Sequence, residues 1–177
     1  MIFAALAMLQ ATTPATPARP QAVPFDQSSI VITEVRRADG SLAARAMVWP
    51  TTLGIEVRVQ AAGLAAGQYG VHLHAAGRCE GPAFESAGPH WNPTARQHGK
   101  LNAQGPHLGD LDNLEVDETG AGRLEFRVAN GAISGADGLL DADGAAVVIH
   151  ASPDDYRTDP SGNSGARIAC GVLRAGS

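Results

Sequence analysis

The stretch Gly54-Ile-Glu-Val-Arg-Val59 alternates apolar and charged side chains with a period of two, not 3.6, and its reading decides the fold. Successive side chains of an extended strand point to opposite faces, so this pattern marks a half-buried strand. Upstream, Leu42-Ala-Ala-Arg-Ala-Met-Val48 and Ser29-Ile-Val-Ile-Thr-Glu-Val35 alternate in part in the same way. Downstream, residues 69–74, 113–116, 123–128, 146–150 and 166–173 also read as strands. Ala38-Asp-Gly40 and Glu118-Thr-Gly120 supply turn chemistry between them. No segment makes a long amphipathic helix. Eight short strands with two long excursions, residues 75–111 and 151–165, predict an all-β antiparallel sandwich or flattened barrel. Loops of that length in a compact domain are usually functional.

Composition narrows the class. Hydrophobic residues make up 44% and charged residues 18% of the 177 positions, which argues against disorder. The net charge is −5, Lys100 is the only lysine, and no cluster of Lys or Arg occurs, so nucleic acid is not an expected partner. No apolar run reaches the roughly 18–20 residues of a membrane span. The N-terminus reads as an address. Met1-Ile-Phe-Ala-Ala-Leu-Ala-Met-Leu9 is apolar and is followed by Pro14, Pro17, Pro20 and Pro24. Residues 1–24 are therefore expected to be a secretory leader and Pro-rich linker, although no Lys or Arg precedes the apolar run. The folded domain is expected over residues 25–177, and the protein to be periplasmic or otherwise exported.

All six histidines fall between His72 and His150. His90, His98, His107 and Asp110 follow one another at intervals of eight, nine and three, at turns such as Gly88-Pro-His-Trp-Asn-Pro93 and Gly105-Pro-His-Leu-Gly-Asp110. Three imidazoles and a carboxylate make a closed tetrahedral set suited to zinc. His72 and His74 alternate on a strand and so share a face, and His150 ends another strand. These three form an incomplete imidazole set of the kind that suits copper. Alone, the H-x-H pair on a strand is weak evidence and His150 is weaker still, whereas the loop register of His90, His98, His107 and Asp110 is the strong signal.

The two cysteines, Cys79 and Cys170, form no C-x-x-C motif. Two buried unpaired thiols are one reading. Their positions favour a disulfide, which would staple the loop after His74 to the last strand and suits an exported protein.

Through these motifs the chain closely resembles the copper/zinc superoxide dismutase family, of bacterial type. The resemblance rests on five segments in order: Gly70-Val-His-Leu-His-Ala-Ala-Gly-Arg-Cys79, Ala87-Gly-Pro-His-Trp-Asn-Pro93, Gly105-Pro-His-Leu-Gly-Asp110, Val148-Ile-His-Ala-Ser-Pro-Asp-Asp155 and Gly162-Asn-Ser-Gly-Ala-Arg-Ile-Ala-Cys-Gly171. It implies a Greek-key arrangement of the strands and the dismutation of superoxide to dioxygen and hydrogen peroxide. It implies that His72, His74, His90 and His150 bind copper, while His90, His98, His107 and Asp110 bind zinc. His90 would thus be shared between the two ions and would also serve as a catalytic proton carrier. Asp154 would hydrogen-bond a histidine of each set, and Arg167 would be the catalytic arginine that attracts the anion. Arg157, Arg96 and Lys100 are further basic candidates for steering it.

Ala75 and Ala76 stand where many relatives carry an acidic residue, and the segment from His150 to Arg167 is short. A non-enzymatic metal-binding protein on this fold predicts degenerate ligands or loss of Arg167, and neither is present. A zinc-stabilised structural module has no need of His72, His74 and His150 together. No interface motif is legible, which leaves a homodimer open.

Overall fold

A computed structural model describes residues 29–176, and the expected leader and Pro-rich linker lie outside them. The strands are β1 (Val31–Arg36), β2 (Leu42–Thr51), β3 (Gly54–Ala61), β4 (Gly67–Tyr69), β5 (Val71–His74), β6 (Leu114–Val116), β7 (Arg123–Ala129), β8 (Ala145–His150) and β9 (Arg167–Leu173). The main sheet runs β5-β8-β9-β1-β2-β3-β7, and β4 pairs with β6 in a second, two-stranded sheet. Every pairing is antiparallel. The order β9-β1-β2-β3 sets three hairpin-linked strands beside a fourth that arrives by a long connection, the Greek-key arrangement. No α-helix occurs among the described residues, and Glu85–Ala87 forms a 3-10 turn.

The sheet curls around one core. Val35, Val48, Ile55, Val57, Leu73, Ile149 and Leu173 meet there from six strands. Burying each such side chain contributes on the order of 1.5–3 kcal/mol. On β3 the alternation read from the sequence holds, with Ile55, Val57 and Val59 buried and Glu56 and Arg58 only partly covered.

Two features differ from expectation. The strand expected over residues 69–74 divides at Gly70, giving nine strands rather than eight. The Gly70 amide bonds the Ser152 carbonyl, and the Gly70 carbonyl accepts the His150 amide, so the chain leaves the β6 ladder and joins β8. A third excursion, residues 130–144, separates β7 from β8. Its apolar residues Leu139 and Leu140 are buried without helical or strand periodicity, so no pattern announced it.

Strand β8 is buried along its whole length. Ala145, Val147 and Ile149 face the main core, while Ala146 and Val148 face a second cluster with Phe84, Ala87 and Cys170. The loop of residues 75–111 therefore covers the outer face of the sheet at β8. Cys79 and Cys170 are joined by a disulfide with Cα atoms 5.6 Å apart, fixing the start of that loop to β9.

Candidate metal centre

On β5, Val71 and Leu73 enter the core, so His72 and His74 must point to the outer face beneath the loop. Their register partners on β8 are Val148 and Ala146, and two positions beyond Val148 comes His150 on the same face. The loop completes the site by running along the open edge of β5. Leu73 donates to Gly109 O and accepts from Trp91 N, and Ala75 donates to Pro89 O. That approach requires glycine at 109, where a Cβ would stand 2.3 Å from the Leu73 carbonyl oxygen. It brings His90 opposite His74 and Asp110 opposite His72.

The eight residues expected at the centre converge, and all are buried: His72, His74, His90, His98, His107, Asp110, His150 and Asp154. One donor atom from each of His72, His74, His90 and His150 lies within 4.8 Å of the others, and so does one from each of His72, His90, His98 and Asp110. His107 belongs with the latter group. Asp110 Oδ1 stands 2.8 Å from His90 Nδ1, 3.0 Å from His98 Nδ1 and 3.1 Å from His107 Nδ1. The His90 and His107 Nδ1 atoms are 3.4 Å apart. A tetrahedral zinc with bonds of about 2.0–2.1 Å needs donors about 3.3 Å apart, so these four atoms fit it.

Hydrogen bonds to the outer nitrogens decide which atoms remain to bind a cation. His74 Nδ1 is 2.8 Å from Gly88 O and His150 Nδ1 is 3.2 Å from Gly165 O. A carbonyl can only accept, so both Nδ1 atoms carry the proton. The Asp154 carboxylate takes His72 Nε2 at 2.7 Å and His98 Nε2 at 3.0 Å. Among the described residues, the nitrogens left buried without a hydrogen-bond partner are His72 Nδ1, His74 Nε2, His98 Nδ1 and His150 Nε2. His98 Nδ1 is near Asp110, as given above, but off the hydrogen-bonding direction. Unpaired buried polar atoms are costly, and this cluster of buried ring nitrogens suits metal ions. His72 stands in both groups, and with its Nε2 occupied by Asp154 it offers Nδ1.

Electrostatics agree. Burial pushes His72 down to about 3 and His150 to about 4, and holds His74 well below the usual range, so these rings are neutral at pH 7. Burial also raises the Asp110 and Asp154 carboxyls, but hydrogen bonds from their histidine partners outweigh it, so both stay ionised. His98 behaves oppositely. Burial opposes its charge, yet the Asp110 and Asp154 carboxylates raise it to about 9, so a cation entering at Nδ1 displaces a proton.

A cavity of about 880 Å³ opens beside His90, His107 and His150, with Arg167 in its wall. Arg167 donates to Phe84 O at 2.8 Å and to Gly88 O at 2.9 Å. Burial lowers its pKa and the Glu85 carboxylate opposes the shift, leaving the guanidinium charged. The other basic residues considered for steering are elsewhere. Arg96, Lys100 and Arg157 do not line this cavity, and Lys100 pairs with Asp112 while resting over the Tyr156 ring. Glu85, Asp137 and Asp141 do line it, and the sequence pattern had pointed to none of them.

The family model for copper/zinc superoxide dismutase matches residues 43–173. Superoxide dismutase (Cu-Zn) 2 of Aquifex aeolicus is 38% identical over 155 residues, spanning 85% of this chain and 90% of the relative. The Cu-Zn superoxide dismutase of Caulobacter vibrioides is 39% identical over 144 residues, spanning 79% and 83%. The crystal structure of a SOD-like protein from Bacillus subtilis superposes with a TM-score of 0.75 at 37% identity, covering 80% of this chain and 97% of that one.

Proposed function

The chain belongs to the copper/zinc superoxide dismutase family, and from that premise we propose how its own side chains carry the reaction. It is an oxidoreductase acting on superoxide, with copper and zinc as cofactors. Two superoxide anions and two protons give one dioxygen and one hydrogen peroxide. The observation that carries the detailed reading is the convergence of six residues into two overlapping donor groups that share His72 and His90, with His107 Nδ1 beside His90 and Asp110.

In this reading His72, His74, His90 and His150 would hold copper, and His90, His98, His107 and Asp110 would hold zinc. Bound copper supplies one-electron exchange, while zinc, which has no redox chemistry, orders the loop and fixes His90. Asp154 orients one histidine of each set through its two oxygens, which sets their tautomers. Arg167 offers charge and a planar donor fork to the small anion in the cavity and does not itself titrate. His90 Nε2 is the atom suited to carry a proton to the reduced oxygen product, which is general acid work.

Export is part of the same reading. The disulfide suits an oxidising compartment such as the periplasm, and residues 1–24 read as the leader that would direct the chain there. Among the described residues no helix is long and apolar enough to cross a membrane.

Metal analysis of the purified protein, with superoxide consumption measured before and after copper addition, tests the proposal. One copper and one zinc per chain with copper-dependent activity are expected. A copper-loaded protein with no activity would overturn it.

A further inference from the structure

Four of the histidines in the two sets have their outer nitrogen tied to an acceptor within 3.2 Å: His72 and His98 to Asp154, His74 to Gly88 O, and His150 to Gly165 O. His107 is different. Its Nε2 faces Asp159 Oδ1 at 4.0 Å, an ion-pair distance rather than a direct hydrogen bond. The same Asp159 oxygen accepts the backbone amide of His98 at 2.6 Å, across 61 positions of chain.

The next amide, Gly99 N, goes to Asp110 Oδ2 at 2.9 Å. Consecutive amides of the 75–111 loop are thus received by two carboxylates, one inside the centre and one on the opposing loop. Nearby contacts hold the two loops in this register. Leu101 N donates to Tyr156 O at 2.9 Å, and the Lys100 ammonium rests 4.2 Å from the centroid of the Tyr156 ring. Gly99, at φ +96°, lets the backbones meet there, since a Cβ would stand 2.1 Å from Tyr156 O.

We propose that Asp159 is a positioning residue that sets His98 and His107 from the 151–165 loop and so tightens the hold on zinc. The proposal rests on the ligand sets proposed above. His107 binding through Nδ1 would keep its proton on Nε2, and the Asp159 carboxylate faces that atom and orients the ring. The bond to the His98 amide fixes the backbone from which the second ligand projects. Asp159 touches neither substrate nor donor atoms, so it acts through these two histidines.

The test is zinc transfer from the copper- and zinc-loaded protein to a chromophoric chelator, compared for wild type, Asp159→Ala, Asp159→Asn and His107→Ala. Asp159→Ala should release zinc about 10–100-fold faster, the usual size of an outer-partner effect on a metal site. Asp159→Asn keeps an oxygen acceptor for the His98 amide but not the charge facing His107, so its rate should fall between wild type and Asp159→Ala. The copper absorption band should stay at its wild-type position in both, which general loosening of the loops would not allow. Release at the wild-type rate from both Asp159 variants, with His107→Ala losing zinc, overturns this proposal and leaves the ligand sets standing. A His107→Ala protein that holds zinc like wild type overturns the ligand sets and this proposal with them. Should Asp159→Ala fail to fold, Asp159→Asn alone decides: it must release zinc faster than wild type with an unshifted copper band.

Discussion

The guanidinium of Arg167 donates to the carbonyl oxygen of Phe84 at 2.8 Å, joining positions 83 apart in the chain. With the second bond to Gly88, two carbonyls of the loop aim a residue of β9 into the cavity. Arg167→Glu should retain both metals yet lose most activity. Arg167→Lys should lose less, because the charge survives while the planar fork does not. Metal content and superoxide consumption measured on the same samples check this. A metal-replete Arg167→Glu protein working at the wild-type rate would remove Arg167 from the mechanism.

Three carboxylates share the cavity wall with that one guanidinium, and the whole chain is net negative. An anion is therefore opposed on its approach to Arg167. Removing one charge at contact range in water is worth roughly 0.5–1 kcal/mol, so Glu85→Gln should raise the second-order rate about 2–5-fold at low salt. Added salt screens Glu85 together with its neighbours over about 10 Å at 0.1 M, so the variant should show a more negative salt slope than wild type. Equal rates and slopes would show that Glu85 lies outside the approach path.

The two donor sets should separate under mutation. His98→Ala should lose zinc and loosen the loop while keeping some copper and some activity. His74→Ala should lose copper and most activity with the fold retained. Metal content per chain and far-ultraviolet dichroism read both outcomes, and unchanged zinc in His98→Ala would break the assignment.

Cys79→Ser removes a cross-link that spans 91 positions. Loop-closure entropy for about 90 residues is worth about 4–5 kcal/mol, the upper end of measured disulfide effects. Denaturant unfolding of the metal-free protein under oxidising conditions should show a loss of a few kcal/mol. Equal stability of the two proteins would mean that the bridge does not constrain the unfolded chain as its span suggests.

Much of the centre was legible because its signals are local. The interval between His72 and His74 is the strand period, and the glycine-proline turns ahead of His90 and His107 announce fixed loop positions. Arg167 and Asp154 carry no such mark, and only resemblance to a family singled them out. Asp159 was missed because its two partners lie on another loop and no local pattern encodes them. Glu85, Asp137 and Asp141 were missed for a related reason. Residues 130–144 pack by scattered contacts, so the wall they contribute emerges only once the chain is folded.

Strand β5 places Val71 and Leu73 on one side and His72 and His74 on the other, against a β8 that is buried on both. A slip of one residue in that ladder would drive two imidazoles into hydrocarbon and set a valine and a leucine among carboxylates and ring nitrogens. The error is therefore penalised twice, by lost burial on one side and by lost partners on the other. Maturation of the metal centre and correct strand pairing act as proofreaders of each other. A chain that binds both cations has, by that act, certified its own fold.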